Sequence, residues 1–245
     1  MKKFDSIRNS ELKKLESIQS TIKELAQRLY DWNYIDTTGG SFSVRFRDGE
    51  NTFALTPTHS GFRRWSLNEG LVVLDENCNR DPLSTSSQPG HPSAMVHAEI
   101  YKRFPFANAV IHTHSPYSLT FAANKQTIKP YTLQSQVLGE VPCVEGNDDF
   151  TPTKHRDFVG ETEYSFTDGM AGFKHTFRGF SALKENMIEF LEPRAAELES
   201  HGLAFTNHKH GIFVIARTLD EAFDNLIRIE RNAQVQLLSR LLPAT

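Results

Sequence analysis

The segment Ala109-Val110-Ile111-His112-Thr113-His114 constrains this chain more than any other. Three consecutive apolar residues, two of them β-branched, read as a buried strand. Side chains at i and i+2 on a strand share a face, so His112 and His114 can aim two imidazoles at one point. Imidazole is a borderline-soft ligand that suits zinc, iron, copper or nickel. A catalytic zinc takes three protein ligands and leaves one position open, so a third ligand is expected from another strand end. His210 is the candidate, because it precedes Gly211 between two apolar runs and glycine there permits a positive φ. His208 competes with it on local grounds. A lone His-x-His pair also arises by chance, so the assignment needs the rest of the chain.

The other histidines read differently. His59, His91, His155, His175 and His201 fall in loop-like or surface-like sequence and are expected to have no role. His97 lies inside a helical stretch. It reads as a packed histidine bonded to backbone, or as one that holds a ligand or loop in place from behind.

Apolar side chains at Leu15, Ile18, Ile22, Leu25 and Leu29 predict an amphipathic helix over 11–31, within an N-terminal helical segment 1–31. Ser41–Phe46 alternates with period two and predicts a strand, closed by an Asp48-Gly49 hairpin onto a return strand at Thr52–Thr58. Leu71–Leu74 reads as a short buried strand, Pro92–Lys102 as a helix, Leu203–Asn207 and Ile212–Ala216 as a strand pair, and Leu219–Leu242 as a long amphipathic helix. Residues 146–181 have weak periodicity and read as an inserted loop region, a candidate lid. Strands with helices at both ends predict a sheet with helices packed around it.

Composition narrows the function. The 245 residues suit one sizeable domain, 1–245, and 38% hydrophobic residues suffice for a core. A net charge of −3 supplies no basic field for nucleic acid or an anionic membrane. Cys78 and Cys143 are the only cysteines, which points to a reducing cytoplasm rather than a disulfide scaffold. The charged N-terminus is no secretory leader, and no apolar run reaches the ~18 residues of a membrane span. The expectation is a soluble cytoplasmic protein whose partner is a small molecule.

Several ordered pieces together resemble the class II aldolase/adducin family. They are Thr38-Gly39-Gly40-Ser41-Phe42-Ser43-Val44-Arg45, Leu55-Thr56-Pro57-Thr58, Leu71-Val72-Val73-Leu74-Asp75, Ser86-Ser87, His97-Ala98-Glu99-Ile100-Tyr101, Ala109–Pro116 and Asn207-His208-Lys209-His210-Gly211. The resemblance implies an α/β/α fold, with a central, mostly antiparallel sheet flanked by helices. It implies a divalent metal on the histidines matching His112, His114 and His210, usually zinc, with Fe(II) or Mn as alternatives. It implies a homotetramer with active sites between neighbouring subunits. The shared chemistry is an enolate or enediolate step, in sugar-phosphate aldolases, an epimerase, a dehydratase and decarboxylases.

Three departures bear on the reaction. The family's acid/base carboxylate follows the two serines, and here that slot reads Ser86-Ser87-Gln88; a carboxamide cannot titrate. The phosphate loop has Ser41 where the family has asparagine, and the Thr56-Pro57-Thr58 segment runs on into His59-Ser60; backbone amides, hydroxyls, and Arg63 or Arg64 can still hold an anion there. The 146–181 insertion has no counterpart in smaller members. Ser41, Thr56, Thr58, Ser86 and Ser87 are the expected substrate contacts. Gln88, in the carboxylate's place, and Tyr131, at a position where relatives reach into a neighbouring subunit, are the expected catalytic positions. The acidic stretch Glu145–Asp149 is an alternative source of a base. The reading is a metal-dependent lyase of aldolase or decarboxylase type. The alternatives are a non-haem Fe(II) oxygenase acting on an aromatic or 2-oxo acid, and a non-catalytic adducin-like oligomerisation module.

Overall fold

The computed structural model describes residues 2–36, 40–47, 49–57, 70–88, 90–91, 93–146 and 174–242, with backbone alone for 2–5 and 174–181. The elements in chain order are α1 (Lys2–Asp31), β1 (Ser41–Arg45), β2 (Phe53–Leu55), β3 (Val72–Leu74), α2 (Ala94–Arg103), β4 (Ala109–Thr113), α3 (Pro116–Ala123), β5 (Cys143–Val144), α4 (Lys174–Leu191), α5 (Ala195–Ser200), β6 (Leu203–Asn207), β7 (Gly211–Ala216) and α6 (Leu219–Ser239). The strands form one 7-stranded sheet in the order β3-β2-β1-β4-β7-β6-β5. Every pair is antiparallel except β5 with β6. The fold is α/β/α, with a central, mostly antiparallel sheet between helices.

The two faces of the sheet carry separate cores, as strand alternation requires. Phe42, Ala54, Val73, Ile111 and Val214 face α1, α3 and α6, where they meet Leu15, Ile22, Leu29, Phe121, Leu226 and Ile229. Phe53, Leu55, Val110, Phe205 and Phe213 face α2 and α4, where they meet Val96, Ile100, Leu183 and Met187. Each such fully buried aliphatic or aromatic side chain contributes about 1.5–3 kcal/mol relative to exposure. Among the described residues no helix is long and apolar enough to cross a membrane.

The elements differ from expectation at instructive places. Residues 174–181, expected in the inserted loop, are the first half of α4. The helical period of α4 is carried by Leu183, Met187 and Leu191, all buried, which lie beyond the expected boundary. Residues 147–173, the rest of that insertion, lie outside the described residues, as do Asp148 and Asp149 of the acidic stretch. Glu145 is described, and its side chain pairs with Lys125 at 2.8 Å. The return strand contracts to Phe53–Leu55, and Leu241 lies past the end of α6 and is exposed.

A partly buried arginine ties one helix to the sheet, and a buried glutamate ties two helices together. Arg45 on β1 donates to the carbonyls of Tyr101 (2.8 Å), Phe104 (3.1 Å) and Ala107 (3.1 Å), which pins the C-terminal end of α2 where the helix dipole favours a cation. Glu230, enclosed in α6, accepts from the amides of Tyr117 (2.6 Å) and Ser118 (2.9 Å) and from the Ser118 hydroxyl. Those groups form the first turn of α3, the helix that follows the histidine strand. Burial pushes the Glu230 carboxyl above its ordinary pKa, against the pull of these donors. Glu230→Ala strands three donors, two of them buried, so it should cost about 2–4 kcal/mol in urea unfolding. A wild-type midpoint would refute the anchoring role.

Candidate metal centre

The site is built at one end of β4. This strand pairs on both sides, with Ser41 opposite His112 on β1 and Phe213 opposite His112 on β7. His112 is fully buried and its ring stacks on Phe213, centroids 4.2 Å apart. His114 lies one residue past the strand end. His210 comes from the turn between β6 and β7, where its amide donates to Asn207 O at 3.0 Å and Lys209 takes a φ of 56°. The structure brings these three together: one ring nitrogen from each lies within 4.8 Å of the others. His208, the local competitor, is buried and its amide donates to Val144 O at 3.3 Å; it is not part of this cluster.

Gly211 is required by close approach. A Cβ there would lie 2.2 Å from Thr113 O, and its φ is +145°. Gly40, with φ +130°, passes the carbonyl of His112 on the other side, where a Cβ would lie 3.2 Å away. Both glycines let backbone close onto the end of the histidine strand.

Hydrogen bonds orient the rings. His112 Nδ1 lies 2.9 Å from Ile212 O; a carbonyl only accepts, so the ring's hydrogen is on Nδ1 and its lone pair on Nε2. His114 Nδ1 lies 3.3 Å from Asp36 Oδ2, which leaves Nε2 on the inner side. His114 Nε2 is buried and has no hydrogen-bond partner among the described residues. An unsatisfied buried nitrogen costs about 1–3 kcal/mol, so its lone pair suits a bound ligand. The carbonyl behind His112 and the carboxylate behind His114 are the kind of partner that aligns histidines for a metal. Burial lowers the pKa of His112 well below its ordinary value, and His210 and His114 nearby lower it further. Burial takes His210 down to about 3. Both stay neutral near pH 7, the form in which imidazole ligates.

Behind the cluster lies a buried network. His97 Nδ1 is 2.7 Å from Ser43 Oγ, and its Nε2 is 3.0 Å from Ser41 Oγ and 3.1 Å from Ser93 Oγ. His97 is therefore held by hydroxyls, not by backbone as one reading of the sequence had it. His91 lies outside any helix or strand, as its sequence reads, but it is half-buried. Its ring centroid is 6.2 Å from that of His112, beside the cluster. Asp36 was missed as well, because nothing in its local sequence links it to a strand 78 residues on.

The other expected contacts fall elsewhere. Ser41 is fully buried and bonded to Ser93 and His97, so its hydroxyl serves the scaffold rather than a substrate. Thr56 Oγ1 accepts from Phe42 N at 3.1 Å, which ties β2 to β1. Ser86 Oγ accepts from Gln88 N at 3.0 Å, and Ser87 and Gln88 are exposed. Arg80 holds the carbonyls of Ser86 and Gln88, so this segment is an ordered loop. Ser93 lies one helical turn before His97. Tyr131 is 54% exposed on a loop with Leu133 and Val137. Thr58, His59, Arg63, Arg64 and His155 lie outside the described residues, as does the side chain of His175.

Folding shields His97, whose pKa burial lowers from 6.5 to about 3. The unfolded chain protonates this ring near 6.5, so it binds more protons than the native state between those values. Stability should therefore fall as pH drops from about 6.5 toward 3, by up to about 1.4 kcal/mol per unit for this group. Urea unfolding of metal-free protein at about pH 7.5 and about pH 5 measures it, and a flat profile would refute the enclosure of His97.

Residues 20–237 match the sequence profile of the class II aldolase and adducin N-terminal domain. Over 117 residues, 47% of this chain, the sequence is 31% identical to the L-fuculose phosphate aldolase of Methanococcus maripaludis. That match spans 59% of the aldolase, less than two thirds of its length. A 94-residue stretch, 38% of this chain, is 34% identical to 41% of the 3-oxo-tetronate 4-phosphate decarboxylase of Haemophilus influenzae. The crystal structure of L-fuculose-1-phosphate aldolase from Thermus thermophilus superposes with a TM-score of 0.63. It covers 96% of this chain and all of that one at 20% identity, a likeness of fold.

Proposed function

Because the chain belongs to the class II aldolase and adducin N-terminal domain family, we propose that it is a divalent-metal-dependent lyase of aldolase or decarboxylase type. Its substrate is a small carbonyl/hydroxy compound that reacts through an enolate or enediolate. The observation that carries this reading is the convergence of His112, His114 and His210 with a buried, unsatisfied Nε2 on His114. A non-catalytic module would have no need of such an atom. The named relatives are lyases and give the oxidative alternative no support.

The ligand set is three imidazoles, for which zinc is the first expectation, ahead of Fe(II) and Mn. A divalent ion there would polarise a substrate carbonyl and stabilise the charge that develops on its oxygen. The chain's own part is alignment and exclusion of water. Ile212 O and Asp36 set the tautomers of His112 and His114, and Phe213 covers one face of His112. With an exposed carboxamide at position 88, the step is one that needs no carboxylate there. Decarboxylation fits, since CO₂ leaves without a base, and so does retro-aldol cleavage with a proton carrier other than residue 88. Tyr131, with Leu133 (75% exposed) and Val137 (60% exposed), is proposed to meet a neighbouring subunit of a homotetramer.

Protein purified without added metal should carry about one equivalent of a transition metal, or take it up on titration. His112→Ala and His114→Ala should abolish it. Occupancy below about half an equivalent with no rebinding would sink the reading, and full retention in either variant would show the ligand set to be wrong. Leu133→Asp should lower the mass measured by light scattering below that of the wild type. An unchanged oligomer would remove this loop from the interface.

A further inference from the structure

A cavity of 320 Å³ opens on the α1, α3 and α6 side of the sheet, lined by Trp32, Tyr34, Tyr117, Ile227, Arg231 and Gln234. Local structure brings these residues together. α1 ends in a Schellman turn: Asn33 takes a φ of 58°, its amide donates to Tyr30 O at 3.0 Å, and the Tyr34 amide donates to Leu29 O at 2.8 Å. Past this turn Trp32 lies against Phe223 of α6, ring centroids 6.0 Å apart, and Tyr34 meets Trp32 edge-on at 6.3 Å. Tyr117 stands in the first turn of α3. Ile227, Arg231 and Gln234 follow on α6 at i, i+4 and i+7, so they share a face.

The polar groups of this cavity present hydrogens. The Arg231 guanidinium donates to Gln234 Oε1 at 3.2 Å, which fixes the amide, and Gln234 Nε2 then donates to the Tyr117 hydroxyl at 2.8 Å. The Tyr117 oxygen is thereby an acceptor, and its own hydrogen is left over. Among the described residues the Tyr34 hydroxyl makes no hydrogen bond, although Tyr34 is only 7% exposed. It is not sealed in either, so it opens into the cavity. Burial raises its pKa, against the pull of Arg231, so it keeps its hydrogen at neutral pH. Arg231 has no carboxylate partner among the described residues. Glu230, its neighbour in sequence, is enclosed and commits both oxygens to the first turn of α3.

We propose that this cavity binds a small aromatic monocarboxylate, with its carboxylate on Arg231 and the Tyr34 and Tyr117 hydroxyls and its ring against Trp32 and Ile227. One guanidinium balances one carboxylate, whereas a phosphate dianion would leave a charge unmatched in a partly enclosed site. Aromatic walls can also hold a cation, but Arg231 excludes one. Trp32 is 47% exposed, which leaves indole surface for a ring to cover. The volume lies at the lower end of small-molecule sites and suits a one-ring ligand. Binding is all the site does: no bond is made or broken. It needs no metal and stands apart from the lyase reading. Tyr34 belongs to the core on the α1 face, while His112 stacks on Phe213, which belongs to the core on the α2 face.

Benzoate, titrated into the purified protein by calorimetry and tryptophan fluorescence, tests this. Wild type should bind about one equivalent with a Kd at or below about 1 mM, and no binding up to about 10 mM overturns the proposal. Arg231→Gln changes an exposed side chain and should weaken benzoate about tenfold or more. Tyr34→Phe removes no protein hydrogen bond and should weaken it about threefold or more. Wild-type affinity in Arg231→Gln overturns the proposal, as does benzamide, the uncharged isostere, binding as well as benzoate. The fluorescence change should vanish in Trp32→Phe, which removes one of two tryptophans; a change that persists puts the ligand elsewhere and overturns the assignment. Stripping metal with a chelator should leave benzoate affinity within about threefold, and a loss of about tenfold would put the anion on the metal centre instead. Light scattering should give Arg231→Gln the wild-type mass; a lower mass would assign the cavity to a second copy of this chain and overturn the proposal. Failure of the lyase reading shows in metal content alone and leaves every one of these outcomes standing.

Discussion

The site depends on the register of β4. This strand is paired on both edges and buried on both faces, so it cannot shift by one residue without turning His112 from the α2 face to the α1 face. The same register sets Ser41 beside His112 and Phe213 against its ring. Gly211 passes the carbonyl of Thr113 too closely for a Cβ, and Gly40 passes that of His112 closely enough that a Cβ would be crowded, so the neighbouring backbone holds the strand end from both sides. Packing of the sheet and placement of the imidazoles are therefore one constraint.

Burial does the electrostatic work. Enclosing an imidazole disfavours its charged form, and His97, His112 and His210 are all shifted downward chiefly for that reason. Neutral rings need partners for their polar atoms in a dry interior. His97 finds them in hydroxyls, and His112 finds one in a carbonyl. Among the described residues His114 Nε2 does not, and that shortfall separates a site from a packed core.

Much of the fold was legible because it is local. Period two at Ser41–Phe46, the strand pair at Leu203–Asn207 and Ile212–Ala216, and period 3.6 at Leu15–Leu29 survive into the structure with changes of boundary. The α4 helix was not legible, since its apolar period begins beyond a stretch rich in Gly, Thr and Phe. The convergence of His112, His114 and His210 was suggested by strand spacing and by the resemblance. Asp36 and His91 were not, for the reason that tertiary placement alone brings them to the site. Ser41, Thr56 and Ser86 have the residue types expected of substrate contacts, but their hydroxyls are taken by protein partners.

Ser93 shows why residue type misleads here. A serine before a helix ordinarily caps it, and losing that bond costs about 1 kcal/mol. This serine gives the cap up and bonds His91, His97 and Ser41 instead. A hydroxyl can both donate and accept, so it can pass a direction from one ring to the next, which a carboxylate at that position could not do without a proton. The bonds among Ser41, Ser43, Ser93 and His97 lie in the interior, and Arg45 anchors the far end of the same helix. The helix thus gives up local stability at its first residue and is held by its last turn. The side chains this frees converge on the end of the histidine strand.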